Sequence, residues 1–173
     1  FKNQITTLNV KIAILQLNFH VCDIIGNCEK IIRGIEQNQN QQIDLFITSE
    51  LSLMGYPPKD YLFNKSFVNK ALQLIKTMAN RLKNQPPVII GAPEINNSGI
   101  GKPLFNSVYL LHEGEIKTTV KKKLLPNYGV FDEVRYFESS DNHQIITIKN
   151  QKIGMTICED IWNDNPPHQP LYY

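Results

Sequence analysis

The chain has 173 residues, 42% of them hydrophobic and 20% charged, the make-up of one soluble globular domain with room for a core. A net charge of +2 is too small to argue for nucleic acid or an anionic membrane surface as a partner. No apolar run approaches the ~20 residues of a membrane span.

The opening Phe1-Lys2-Asn3-Gln4 has neither the apolar core nor the small-residue cleavage site of a signal peptide. It also has no initiator Met, so residues are expected upstream. Val10 to Leu17 is apolar enough for a buried strand. Asn27, after Gly26, offers a helix N-cap, and Cys28, Ile31, Ile32 and Ile35 follow at helical spacing. The Asn/Gln-rich stretch 37–42 reads as a frayed helix end. Cys22 and Cys28 have no neighbouring Cys or His pair to complete a zinc pattern, so they read as structural and no metal is expected. Three cysteines, an odd count without secretory features, imply free thiols in a reducing, cytoplasmic setting.

Asp44 to Glu50 is a second strand that runs straight into a carboxylate, and Gly55-Tyr56-Pro57-Pro58 is a loop. A second helix follows, with Val68, Ala71, Leu72, Ile75, Met78, Ala79 and Leu82 on one stripe, Ser66 as its expected cap and Pro86-Pro87 beyond its end. Val88 to Ala92 is a third buried strand. Asn106 to Leu111 and Glu115 to Val120 form a strand pair about a His-Glu-Gly turn; Gln144 to Lys149 and Lys152 to Ile157 form another about Asn150-Gln151. The order β-α-β-α-β followed by strand pairs predicts an α/β domain with a mixed sheet and helices on one face.

The apolar run Ile153 to Ile157 ends at Cys158, followed by Glu159 and Asp160. A buried cysteine closing a core strand would look the same. Glu50 and Lys122 also stand at the ends of predicted strands, and side chains at parallel strand ends converge on one pocket. A thiol with an ordinary pKa of ~8.5 is a few per cent thiolate at neutral pH. A carboxylate can take its proton. A lysine ammonium and the Glu159 backbone N–H can stabilise an oxyanion. Such a set performs acyl transfer from an amide or nitrile through a thioester. Glu50 could instead cap its loop, and Lys121-Lys122-Lys123 could be a solvated run. Among His20, His112, His143 and His168, only His20 is kept as an alternative partner for the thiol.

The words 48–60 (Thr-Ser-Glu-Leu-Ser-Leu-Met-Gly-Tyr-Pro-Pro-Lys-Asp), 122–137 (Lys-Lys-Leu-Leu-Pro-Asn-Tyr-Gly-Val-Phe-Asp-Glu-Val-Arg-Tyr-Phe) and 157–162 (Ile-Cys-Glu-Asp-Ile-Trp) resemble the nitrilase superfamily. More narrowly they are similar to the N-terminal glutaminase domains of glutamine-dependent NAD synthetases. The resemblance runs from about Val10 to the end. It implies a nitrilase-like αββα sandwich with a catalytic triad of Glu50, Lys122 and Cys158. The family's spacing to Leu125-Pro126 selects Lys122, with its neighbours Lys121 and Lys123 one residue away as alternatives. It also implies that Glu133 orients the lysine and the substrate amide, that Tyr128 and Glu159 recognise glutamine, and that Tyr56 lines the pocket.

On this resemblance residues 1–173 are a partial carbon-nitrogen hydrolase domain, incomplete at its C-terminus, and the ATP-dependent synthetase domain is absent. No Ser-Gly-Gly-x-Asp pyrophosphatase loop occurs. The implied reaction is glutamine hydrolysis, supplying ammonia for amidation of deamido-NAD. No cofactor is expected in this domain, ATP and Mg²⁺ are expected in the missing one, and a homo-oligomer is expected. The competing readings are a stand-alone amidase on another small amide or nitrile, and a non-catalytic interaction module.

Overall fold

The computed structural model describes residues 9–141 and 144–161. Strands β1 (Ile12–Leu15), β2 (Leu45–Thr48), β3 (Val88–Ile95), β4 (Leu104–His112) and β5 (Glu115–Lys121) form one sheet in chain order. β1, β2 and β3 are parallel, and β4 is antiparallel to both β3 and β5. β5 therefore points the same way as β2, and the residues that follow these two strands emerge at the same edge of the sheet.

The parallel connections are made by helices α1 (Ile24–Glu36) and α2 (Lys65–Arg81). Both lay an apolar stripe on one face of the sheet. Ile31, Ile32 and Ile35 of α1 and Val68, Ala71, Ile75 and Met78 of α2 share a core with Phe46, Val88 and Ile90. The other face carries Leu45, Ile89, Val108, Leu110 and Val120. It is covered by the hairpin β6 (Ile145–Ile148) and β7 (Gln151–Gly154), which contributes Ile146 and Ile148, and by Met155 and Ile157 beyond it. Helices, five-stranded sheet and hairpin make the α, β and β layers of the expected sandwich. Burial on both faces explains why β2 and β3 read as continuous apolar runs.

Three local expectations are corrected. Asp23, not Asn27, caps α1: its Oδ1 accepts from Gly26 N at 2.9 Å. Asn27 is buried in the first turn, where its Oδ1 accepts from His20 N at 2.9 Å and its Nδ2 donates to His20 O at 2.7 Å and Leu53 O at 3.2 Å. Only an amide can both accept and donate in this way, whereas the helix end needs an acceptor alone. Asn64, not Ser66, caps α2 by accepting from Phe67 N at 3.1 Å. The last strand stops at Gly154 rather than Ile157. The stretch after α1 forms a 3-10 turn at Gln39–Gln41. Among the described residues, no helix is long and apolar enough to cross a membrane.

Candidate active site

Glu50 lies two residues past β2, in a turn pressed onto β3. Thr48 Oγ1 is 2.6 Å from Ser52 Oγ and donates to Ile89 O at 3.1 Å, while Leu53 N donates to Gly91 O at 3.1 Å. A Cβ on Gly91 would come within 2.5 Å of Leu51 N and 2.6 Å of Ser49 O. The glycine in the middle of an apolar strand is what lets the Glu50 turn sit this close.

Lys122 follows β5, and its N donates to Asn106 O at 2.8 Å. Alternation along the strand separates the three lysines. Lys121 reaches Glu94 at 3.3 Å and lies 4.3 Å from the centroid of the Phe105 ring, and Lys123 pairs with Asp141. Lys122 alone of the three points inward, and its side chain is 0% exposed. Its Nζ lies 2.6 Å from Glu50 Oε1 and 2.9 Å from both Glu133 oxygens. Burial works to lower the pKa of this ammonium; Glu50 and Glu133 together overcome it, and the net shift is upward.

Glu133, in a 3-10 turn at Glu133–Arg135, also accepts from Tyr56 OH at 2.9 Å. Burial, then the charge of Glu50, raises its pKa, with Lys122 and the Tyr56 hydroxyl opposing. The Tyr56 phenol is raised too, by burial and then by Glu133. Tyr128 OH bonds both oxygens of Glu159, at 3.1 and 2.9 Å. Phe131 packs between the two tyrosines, 6.3 Å from Tyr56 and 5.6 Å from Tyr128 between ring centroids. The candidate residues thus fall into two groups: Glu50, Lys122 and Glu133 in one network around the buried ammonium, joined by the hydroxyl of the partly exposed Tyr56, and Tyr128 with Glu159 at an exposed rim beside Cys158.

Cys158 is not delivered by a strand end. It opens a 3-10 turn, Cys158–Ile161, with φ at +45°, a conformation strained for any residue but glycine. Its thiol is exposed. Burial of its surroundings, then the charge of Glu50 and a hydrogen bond to it, raise the thiol pKa, and Lys122 pulls the other way. No histidine is among the groups that shift the thiol, and the backbone N and O of His20 are held by the Asn27 side chain. Trp162, His143 and His168 lie outside the described residues. An apolar groove of about 460 Å³ runs between β2 and the segment after β7, with Glu50, Ile89, Val108, Met155, Ile157 and Cys158 in its wall.

Two site residues escaped the sequence reading. Asn106, buried in β4, donates through Nδ2 to Glu50 Oε1 at 2.6 Å and Glu133 Oε2 at 3.3 Å. Its only signal is the polar pair Asn106-Ser107 within a mostly apolar strand. Asp160 is also buried. Its Oδ1 accepts from Lys123 N at 3.1 Å and Leu124 N at 2.8 Å, and its Oδ2 from Ile157 N at 3.1 Å. It ties the Cys158 turn to the backbone just beyond Lys122. Among the described residues, no group of His, Cys, Asp or Glu is arranged to hold a metal ion.

The chain is 43% identical over 156 residues to a glutamine-dependent NAD(+) synthetase of Synechocystis sp., covering 88% of this chain and 28% of that protein. It is 35% identical to one from Aquifex aeolicus, covering 90% and 26%. The chain thus spans little more than a quarter of these relatives' length. The structure of a glutamine-dependent NAD+ synthetase from Acinetobacter baumannii matches with a TM-score of 0.81 at 34% identity, over 88% of this chain and 28% of that one. An amidase of the nitrilase superfamily from Nesterenkonia shares the fold, with a TM-score of 0.72 at 19% identity, over 87% of this chain and 56% of that one. The carbon-nitrogen hydrolase model matches residues 11–171, and the chain belongs to that family.

Proposed function

We propose that this domain hydrolyses the side-chain amide of glutamine, as the glutaminase part of a longer glutamine-dependent NAD synthetase, and that residues 1–173 are a portion of that part. Cys158 is the nucleophile, Glu50 its general base, and Lys122 the cation beside the developing oxyanion. The observation that supports these roles is one buried ammonium, 2.6 Å from Glu50 and 2.9 Å from Glu133, next to an exposed thiol whose pKa is raised. A thiol so placed is protonated at neutral pH and needs a base. Glu50 takes its proton as sulfur attacks the amide carbon, then returns it to the departing nitrogen. Ammonia leaves and a thioester forms. Water attacks the thioester with Glu50 again as base, giving glutamate and the free thiol.

Lys122 and the Glu159 backbone N–H face the oxyanion in both steps. Glu133 holds Lys122 and the amide nitrogen. The Glu159 carboxylate receives the α-ammonium of glutamine, sharing it with the Tyr128 hydroxyl, while Tyr56, Phe131 and Tyr128 wall its aliphatic stem. These steps need no cofactor in this domain. ATP, Mg²⁺ and deamido-NAD belong to the synthetase portion, which consumes the ammonia. The whole protein is read as a cytoplasmic homo-oligomer.

In the full-length protein, Cys158→Ala is expected to abolish NAD formation from glutamine and to spare formation from ammonia. Assaying NAD with each nitrogen donor checks this. Survival of the glutamine reaction, or equal loss with both donors, overturns the reading.

A further inference from the structure

Asn106 sits in β4 where Leu104, Val108 and Leu110 are apolar, and it is 0% exposed. Its Nδ2 touches both carboxylates, and its backbone carbonyl holds Lys122 N at 2.8 Å. Its Oδ1 is buried and has no hydrogen-bond partner among the described residues. Turning the amide over would seat that oxygen against Glu50 and Glu133, so the two anions dictate its orientation.

The charges say what the amide is for. Two carboxylates share one ammonium, leaving an excess of negative charge. Asn106 adds donors without adding charge. Its nitrogen and Lys122 Nζ both fall on Oε1 of Glu50, each at 2.6 Å. The other oxygen, Oε2, is thereby left for the thiol proton. Glu133, by contrast, receives Lys122 and Asn106 on Oε2, and Lys122 and Tyr56 on Oε1.

We propose that Asn106 is a positioning residue for amide hydrolysis, which turns Glu50 so that one oxygen is free to act as base and ties Glu133 to Lys122 as the non-reacting carboxylate. The proposal rests on the assignment of Glu50 as base. Nothing in the substrate touches Asn106; it acts through the two glutamates.

The test uses Asn106→Asp and Asn106→Leu in the full-length protein. Aspartate nearly matches asparagine in shape. Protonated, it donates one hydrogen bond; ionised, it donates none and sets a third negative charge against the other two. The ratio of its kcat/KM to that of the wild type is expected to fall roughly 100-fold as pH rises through ionisation of the new carboxyl, with kcat carrying the loss and KM changing little. Asn106→Leu removes the donor at similar volume and is expected to lose roughly 100-fold in kcat at every pH. A ratio for Asn106→Asp that is flat with pH, at any level, overturns the proposal, because loss of packing alone has no such titration. The ratio is read on whichever small amide the wild-type protein hydrolyses. Failure of the glutamine assignment shows separately, as wild-type indifference to glutamine.

Discussion

At Cys158 the surroundings favour the unreactive form of the nucleophile. Burial and Glu50 raise its pKa, and Lys122 only partly compensates. A cysteine activated by a neighbouring imidazolium shows the reverse shift. Alkylation by iodoacetamide, which consumes thiolate, should therefore have its pH midpoint above the ~8.5 of an ordinary thiol. Glu50→Gln removes the chief raising charge and leaves Lys122 in place. The midpoint should then fall, and labelling at neutral pH should become faster, while amide hydrolysis drops by roughly 10²–10⁴-fold. Mass spectrometry of the labelled protein across pH reads both. Cys28 is the internal control, because burial pushes its thiol up to about 11. If Glu50→Gln leaves the Cys158 midpoint unchanged or raises it, Glu50 does not act on the thiol.

At the scale of elements, Glu50 is aimed by a glycine on another strand. Gly91→Ala would force a Cβ into the Ser49–Leu51 backbone. The expected result is a loss of ~1–3 kcal/mol in stability together with a drop in kcat of at least roughly tenfold, since displacing a positioned catalytic group is costly. Gly154→Ala, where an added Cβ meets nothing within 4 Å, should leave stability within about 0.5 kcal/mol. Chemical denaturation of the two variants compares them directly; equal stabilities would remove Gly91 from the account. The same elements explain what could be read beforehand. Apolar runs mark β2 and β3, and helical spacing of apolar residues marks both helices, because each is buried against the apolar clusters on the two faces of the sheet. Glu50, Lys122 and Cys158 are legible because each stands in a distinctive word, and Glu50 and Cys158 also close apolar runs. Asn106 and Asp160 are not, because their work is done by hydrogen bonds to residues far along the chain. The positive φ of Cys158 is equally hidden, since its word fits a strand end as well as a turn.

Across the whole molecule, the charged network lies where the sheet edge meets the loops 49–56 and 122–137, and its stability depends on pH. Glu133 has its pKa raised by burial first and by Glu50 second, so it binds its proton more tightly folded than unfolded. Such a group adds stability when protonated, and that contribution is lost as pH rises. The window runs from the ordinary glutamate value of ~4.3 up to the raised folded value. Glu133→Gln has nothing to titrate there. The difference in thermal midpoint, variant minus wild type, should therefore be most favourable to the variant at neutral pH and shrink as pH falls through the window. Circular dichroism melts from neutral to mildly acid pH measure it. A difference that instead grows as pH falls would mean that pairing with Lys122 outweighs burial. Activity moves separately: the variant has no anion to share Lys122, so its turnover should fall at every pH. A fold that gains at neutral pH from losing Glu133, while catalysis loses, places the residue in service of the reaction rather than of the fold.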